Sequence, residues 1–192
     1  MSRKASSPRK RKGVTRSRVR KSARPDAPDA IQLLKSDHRE VEALFEQFKK
    51  TKALDRKKTI VGKICDALTV HATIEEEIFY PQAREALKRS GRKLLDEAEV
   101  EHQGIKWKVK ELKDADPGND LYDAKVTVLE EYVRHHVKEE ERDMFLRVRS
   151  TRLDTAAIGE QLANRKEALT GKPVKLEPTL IERGVQALIG RQ

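Results

Sequence analysis

Residues 71–75 read His-Ala-Thr-Ile-Glu, and residues 136–140 read His-Val-Lys-Glu-Glu. Each stretch carries a histidine with a glutamate four positions on, the spacing that puts two side chains on one face of an α-helix. Upstream of each lies another histidine with an acid before it. Asp37-His38 precedes His71 by 33 residues, and Glu101-His102 precedes His136 by 34. The chain states one pattern twice, and the pattern is that of a helical hairpin offering two imidazoles and a carboxylate to a neighbour.

Working outward, the apolar residues fall in step with these groups. Ile31, Leu34, Val41, Phe45 and Phe48 recur at intervals of three and four with His38 among them, which predicts an amphipathic helix over about 29–52. Ile60, Ile64 and Leu68 lead to His71 and Glu75, with Ile78 or Phe79 beyond, predicting a second helix over about 55–80. Pro81 should kink or end it, with a short turn following through Leu87. Leu95, Ala98, His102, Ile105, Val109 and Leu112 mark a third over about 93–114, set apart by Gly91. Asp116-Pro117-Gly118-Asn119 is a turn. Val126, Leu129, Val133, His136, Glu140 and Met144 mark a fourth over about 120–149.

The expected fold is all-α, an antiparallel up-down four-helix bundle over 28–150. A basic tail over 1–27 precedes it, and a C-terminal helical extension over 151–192 follows. The extension holds a polar helix near 154–169 and an amphipathic stretch with Leu180, Ile181, Val185, Leu188 and Ile189.

Composition narrows the class. Charged residues make up 39% and aromatics only 4%, which favours long solvated helices over a sheet core. No apolar run approaches the roughly 18 residues of a membrane span, so no membrane partner is expected. Cys65 is the only cysteine, so an internal disulfide is excluded and a cytoplasmic setting is the natural expectation. The net charge of +10 is unevenly placed. Residues 1–24 contain eleven Lys or Arg and no acid, and the remaining chain carries 31 basic and 32 acidic side chains. A segment so polar cannot offset its ordering entropy, so disorder is expected there. Its cations allow weak, salt-sensitive contact with nucleic acid.

In each hairpin the paired histidines lie at similar distances from the turn, level within one helical turn at about 1.5 Å rise per residue. A lone histidine on an apolar stripe is ordinarily a hydrogen-bonded core residue. Glutamate is different, because burying a carboxylate with nothing to bind costs several kcal/mol. His38, His71, Glu75, His102, His136 and Glu140 are therefore the candidate metal ligands, with Glu75 and Glu140 bridging two ions. Imidazole with carboxylate suits iron, manganese or zinc. His135, about 100° round the helix, is expected at the surface or just outside the ligands, and Glu76, Glu77, Glu139 and Glu141 in solvent. Tyr80, Tyr132 and Trp107 have positions that allow them near the site but read mainly as packing residues, and Cys65 as a small, partly buried hydrophobe.

These residues resemble the hemerythrin-like cation-binding domain, also called the HHE domain. The resemblance covers about 30–150 and rests on His38, His71 to Glu75 with Phe79-Tyr80-Pro81 after it, His102, and His136 to Glu140. It implies a four-helix bundle around two non-haem iron ions with carboxylate bridges, and O2, NO or peroxide as the small ligand. The oxygen carriers of that family have another histidine where this chain has Lys106, and their last carboxylate follows the last histidine at five positions rather than four. Fewer protein ligands on one iron favour sensing, stress response or iron handling over oxygen transport. Peroxide decomposition by the same centre, in the manner of a catalase or peroxidase, is the enzymatic alternative. A bundle that associates with nucleic acid through its tail is the other.

Overall fold

A computed structural model of the chain describes residues 28–174. The expected tail over 1–27 and the amphipathic stretch beyond 174 lie outside them. Five helices, with no strand among the described residues, account for the fold. Helix α1 is Ala30–Lys50. Helix α2 runs over 54–86 and α4 over 122–149, each interrupted by one widened turn described below. Helix α3 is Arg89–Lys113 and α5 is Thr155–Thr170. Among them α1 packs on α2, α2 on α3, α3 on α4, and α5 on α1 and α2.

The boundaries follow local chemistry. Asp29 caps α1, its carboxylate accepting from the backbone N–H of Ile31 at 3.0 Å and Gln32 at 3.2 Å. Asp154 caps α5 in the same way through Ala157. Gly171 ends α5 with φ of 66°, a left-handed conformation that glycine adopts without steric cost. Helix α3 begins at Arg89, so Gly91 is not a separator. It sits inside the first turn, where an added Cβ would press on the Leu87 side chain at 3.0 Å.

Pro81 does not end α2. The turn before it, Glu75–Phe79, is a π turn in which the N–H of Tyr80 donates to the carbonyl of Glu75, five residues back. Proline has no N–H to give and normally collides with the carbonyl of the preceding turn. Here the regular ladder is already broken, and helix resumes through Ala86. The second π turn, Glu140–Met144, has the equivalent bond from Phe145 to Glu140. Both widened turns begin on the glutamates singled out from the sequence. The extra residue also resolves the Ile78–Phe79 ambiguity, since Phe79 is buried and Ile78 only partly so.

The core is divided in two. Ile31, Leu34, Ile74, Phe79, Leu95, Ala98, Met144 and Phe145 belong to one apolar cluster. Val41, Phe45, Leu68, Ile105, Leu129 and Val133 belong to the other. On each of the four long helices the polar residues of the repeat fall between the two.

Helix α5 is polar, as its sequence indicates, yet it docks firmly. It buries Ile158, Gly159 and Leu162, and the Thr155 hydroxyl donates to the Asp29 carboxylate at 2.5 Å. A Cβ on Gly159 would lie 1.7 Å from the carbonyl oxygen of Pro28, so the contact requires glycine. Gly159→Ala should force α5 off the start of α1 and lower stability by about 1–3 kcal/mol, the usual cost of overpacking. Urea unfolding read by circular dichroism measures this. An unchanged midpoint would mean that α5 contributes little to the fold.

Candidate metal centre

Seven acidic or histidine side chains are buried among the described residues: Asp37, His38, His71, Glu75, His102, His136 and Glu140. The last six are the residues predicted as ligands, and all meet between the two apolar clusters. His38, His71, Glu75 and Glu140 form one group whose ligand atoms lie within 4.8 Å of one another, and Glu75, His102 and His136 form a second. Glu75 belongs to both.

The imidazoles are paired by hairpin. His38 Nε2 and His71 Nε2 are 3.1 Å apart, and His102 Nε2 and His136 Nε2 are 3.0 Å apart. The carboxylates join the hairpins. Glu75 Oε2 lies 3.2 Å from His71 Nε2 and 3.4 Å from His102 Nε2. Glu140 Oε2 lies 3.4 Å from His136 Nε2 and 3.3 Å from His38 Nε2. The duplicated sequence thus gives a duplicated geometry, in which each glutamate spans one imidazole from either half.

The other ring nitrogen of every histidine faces a carboxylate. His38 Nδ1 is 2.9 Å from Glu141, His102 Nδ1 is 2.9 Å from Glu76, His136 Nδ1 is 2.9 Å from Glu101, and His71 Nδ1 is 3.5 Å from Asp37. An ionised carboxylate only accepts, so each Nδ1 carries the hydrogen and each Nε2 is left as a ligand atom. The acid before the first histidine of a repeat, Asp37 or Glu101, serves the second histidine of the same repeat. The acid after the ligand glutamate, Glu76 or Glu141, serves the first histidine of the other repeat.

Glu76 and Glu141 are therefore not merely solvated, contrary to expectation from helix phase. Each is a half-buried acid that reaches across to a neighbouring helix. Cations hold their far sides: Lys106 on Glu76 at 2.6 Å, and Arg39 on Glu141 at 2.8 Å with Lys35 at 3.2 Å. Lys106 faces outward onto Glu76. Glu77 pairs with Arg165, and Glu139 with His135. His135 is a surface residue, 65% exposed, and touches the centre only through Glu101 at 3.4 Å.

Tyr80 is not simple packing. Its buried hydroxyl donates to Glu140 Oε1 at 2.9 Å and lies 3.4 Å from both Glu75 Oε2 and His102 Nε2. Burial and the two carboxylate charges push the phenol well above its ordinary value, which keeps it a donor. Trp107 and Tyr132 are exposed. Cys65 is fully buried, with burial raising its thiol to about 11, and takes no part.

Electrostatics mark the layer as a place for cations. Burial, then the charge of Glu140, pushes Glu75 up to about 7. Burial acts upward on Glu140 too, but His136, His38 and His71 outweigh it and hold the carboxyl well below the usual range. Burial resists charging His38, yet Glu140 and Glu141 outweigh it and raise the imidazole to about 9.

Glu75 Oε1 is buried without a hydrogen-bond partner, a cost of roughly 1–3 kcal/mol, more for a charged group, and Glu140 Oε2 has beside it only the His38 and His136 nitrogens at 3.3 and 3.4 Å. Two Nε2 lone pairs also confront each other in each histidine pair, and a proton or a metal ion must lie between them. Four imidazoles and two carboxylates satisfy a borderline transition metal, and the residues present fit one. Beside the imidazoles is a cavity of about 20 Å³ walled by Val41, Leu68, Ile105 and Val133, room for one very small molecule.

Comparison with known proteins places the chain in a family of cation-binding domains. A family model described as "Hemerythrin HHE cation binding domain" matches residues 29–148. The crystal structure of a hemerythrin HHE cation binding domain-containing protein from Mycobacterium kansasii superposes with a TM-score of 0.65 at 22% identity. That alignment covers 75% of this chain and 88% of the other, a likeness of fold. A protein from Nostoc sp. described as a DNA nickase is 26% identical over 118 residues, which are 62% of this chain and 33% of that protein. The chain thus spans about a third of that relative's length. No described helix is long and apolar enough to cross a membrane.

Proposed function

The chain belongs to the hemerythrin HHE cation-binding family, and from that premise we propose that it is a non-haem di-iron protein binding O2, NO or peroxide. His38 and His71 would hold one ion and His102 and His136 the other, with the Glu75 and Glu140 carboxylates available to both, in an antiparallel up-down bundle. The observation that supports this reading is that one oxygen of each glutamate lies within 3.4 Å of one imidazole from either hairpin. Iron bound there supplies Lewis acidity and one-electron redox chemistry; manganese or zinc would use the same donors.

The protein's own contribution is orientation, exclusion and one hydrogen bond. The four outer carboxylates fix the imidazole rings through Nδ1, which raises ligand basicity. The two apolar clusters keep bulk water away. The small apolar cavity sets the size of ligand that fits, which favours a diatomic molecule or peroxide over an organic substrate. Tyr80 holds its proton on the Glu140 side of the centre, where it restrains that carboxylate or donates to a ligand. The role that follows is sensing, stress response or iron handling in the cytoplasm.

Metal analysis with visible spectroscopy of the purified protein tests this. About two iron ions per chain and a charge-transfer band altered by NO or peroxide are expected. One ion per chain, or none after anaerobic reconstitution with ferrous iron, would overturn it. Sustained peroxide consumption would turn the reading towards a catalase- or peroxidase-like enzyme.

A second reading has its own support. The eleven cations of residues 1–24 and the likeness to a Nostoc protein described as a DNA nickase favour nucleic-acid contact through the tail. Retention on DNA that falls steeply between low and moderate salt, and disappears on deleting residues 1–24, is the expected result. Unchanged retention after the deletion would remove this reading.

A further inference from the structure

The four Nδ1–carboxylate contacts are not equal. Three are 2.9 Å and involve glutamates; the fourth, His71 to Asp37, is 3.5 Å. Asp37 differs in two ways. Its side chain is one methylene shorter, and its other oxygen is held at 2.5 Å by Lys166 of α5. Glu76 and Glu141 also carry cations, yet each keeps its histidine at 2.9 Å, because the longer side chain reaches both. Asp37 reaches His71 only at 3.5 Å, and the lysine has the closer contact. Lys166 is mostly shielded from solvent, at 19% side-chain exposure, and Asp37 almost wholly, at 8%, so the pair is weakly screened.

We propose that Lys166, reaching in from α5, makes the two halves of the metal centre unequal, so that the His38–His71 half is the one that takes up and gives back its ion. The inference rests on the two-ion reading above. An Nδ1–H bond to a carboxylate orients a ligand histidine and strengthens its donation, and losing such a partner typically costs about 10–100-fold in metal affinity. His71 has the weakest of these bonds, whereas His102 and His136 both have short ones. Lys166 is thus a positioning residue, acting on His71 through Asp37.

Titration of the full-length, metal-free protein with ferrous iron under anaerobic conditions, followed by calorimetry, separates the two halves. The unsubstituted protein should show two binding events, the weaker of which is lost in His71→Ala. In Lys166→Met the weaker event should tighten by about tenfold, while Lys166→Arg keeps the original gap. Asp37→Glu should also tighten it with Lys166 in place, and this variant carries the test if Lys166→Met does not fold. The proposal is overturned if the weaker event tightens in neither Lys166→Met nor Asp37→Glu, or if it is lost in His102→Ala instead. A protein that binds no ferrous iron at all would refute the two-ion reading itself, a result distinct from two events indifferent to Lys166.

Discussion

His136→Ala should reduce the metal content of the purified protein by one ion per chain, while His135→Ala leaves it unchanged. Neighbours in sequence, the two histidines differ by about 100° around α4. His136 is 2% exposed, with Nε2 between His102 and Glu140. His135 is 65% exposed and meets Glu101 alone of the groups that serve the centre. Losing a ligand outright should exceed the 10–100-fold typical of an outer partner, so weakening beyond about 100-fold is expected for the affected ion. An exposed ion pair is worth at most about 1 kcal/mol, so His135→Ala should weaken binding by no more than about fivefold. Equilibrium dialysis against ferrous iron gives both values. Comparable losses in the two variants would contradict the assignment of ligands by helix phase.

Glu75→Gln should reverse its rank against the unsubstituted protein when metal is added. In the folded, metal-free protein Glu75 holds its proton up to about 7, against an ordinary value of 4.5. Between those values the folded state is protonated where the unfolded chain is not, so stability falls as pH rises through the window. The full loss is about 3 kcal/mol. Glutamine never ionises, so metal-free Glu75→Gln should match the unsubstituted protein below pH 4.5 and exceed it by up to about 3 kcal/mol at pH 8. With iron at a hundredfold excess over Kd, the unsubstituted protein should gain about 2.7 kcal/mol per ion, and the variant, lacking a bridge, little. Denaturant unfolding at both pH values, with and without metal, reads all four states. A variant less stable than the parent at pH 8 without metal would mean that the carboxylate is structural.

The sequence is most legible where a residue's role is expressed as phase on one helix. The stripes from Ile31 to Phe48 and from Leu95 to Leu112 are buried as their spacing requires, and the six ligand candidates lie on such stripes. Phase fails for groups that act across helices. Asp37, Glu76, Glu101 and Glu141 sit one position off the buried stripe and look solvated, yet each reaches a histidine on a neighbouring helix. Their only trace is that an acid flanks a ligand at the same place in both repeats. The π turns left less. One extra residue per turn changes nothing before it and shifts everything after, and the Ile78–Phe79 ambiguity was its sole sign. Tyr80 lies past that shift, so its approach to Glu140 could not be read from spacing. Helix α5 was legible as a helix but not as a docked one, because its contact depends on the absence of a side chain at Gly159.

The divided core gives the layer between its halves a mechanical meaning. Neither oily half is continuous with the other, and what joins them without metal is a layer of buried imidazoles and carboxylates. Two ions would work there as rivets. A stripped molecule should loosen first along that seam, with amide exchange quickening on both sides of it before either half melts. Filling the seam should make the whole interior unfold as one body.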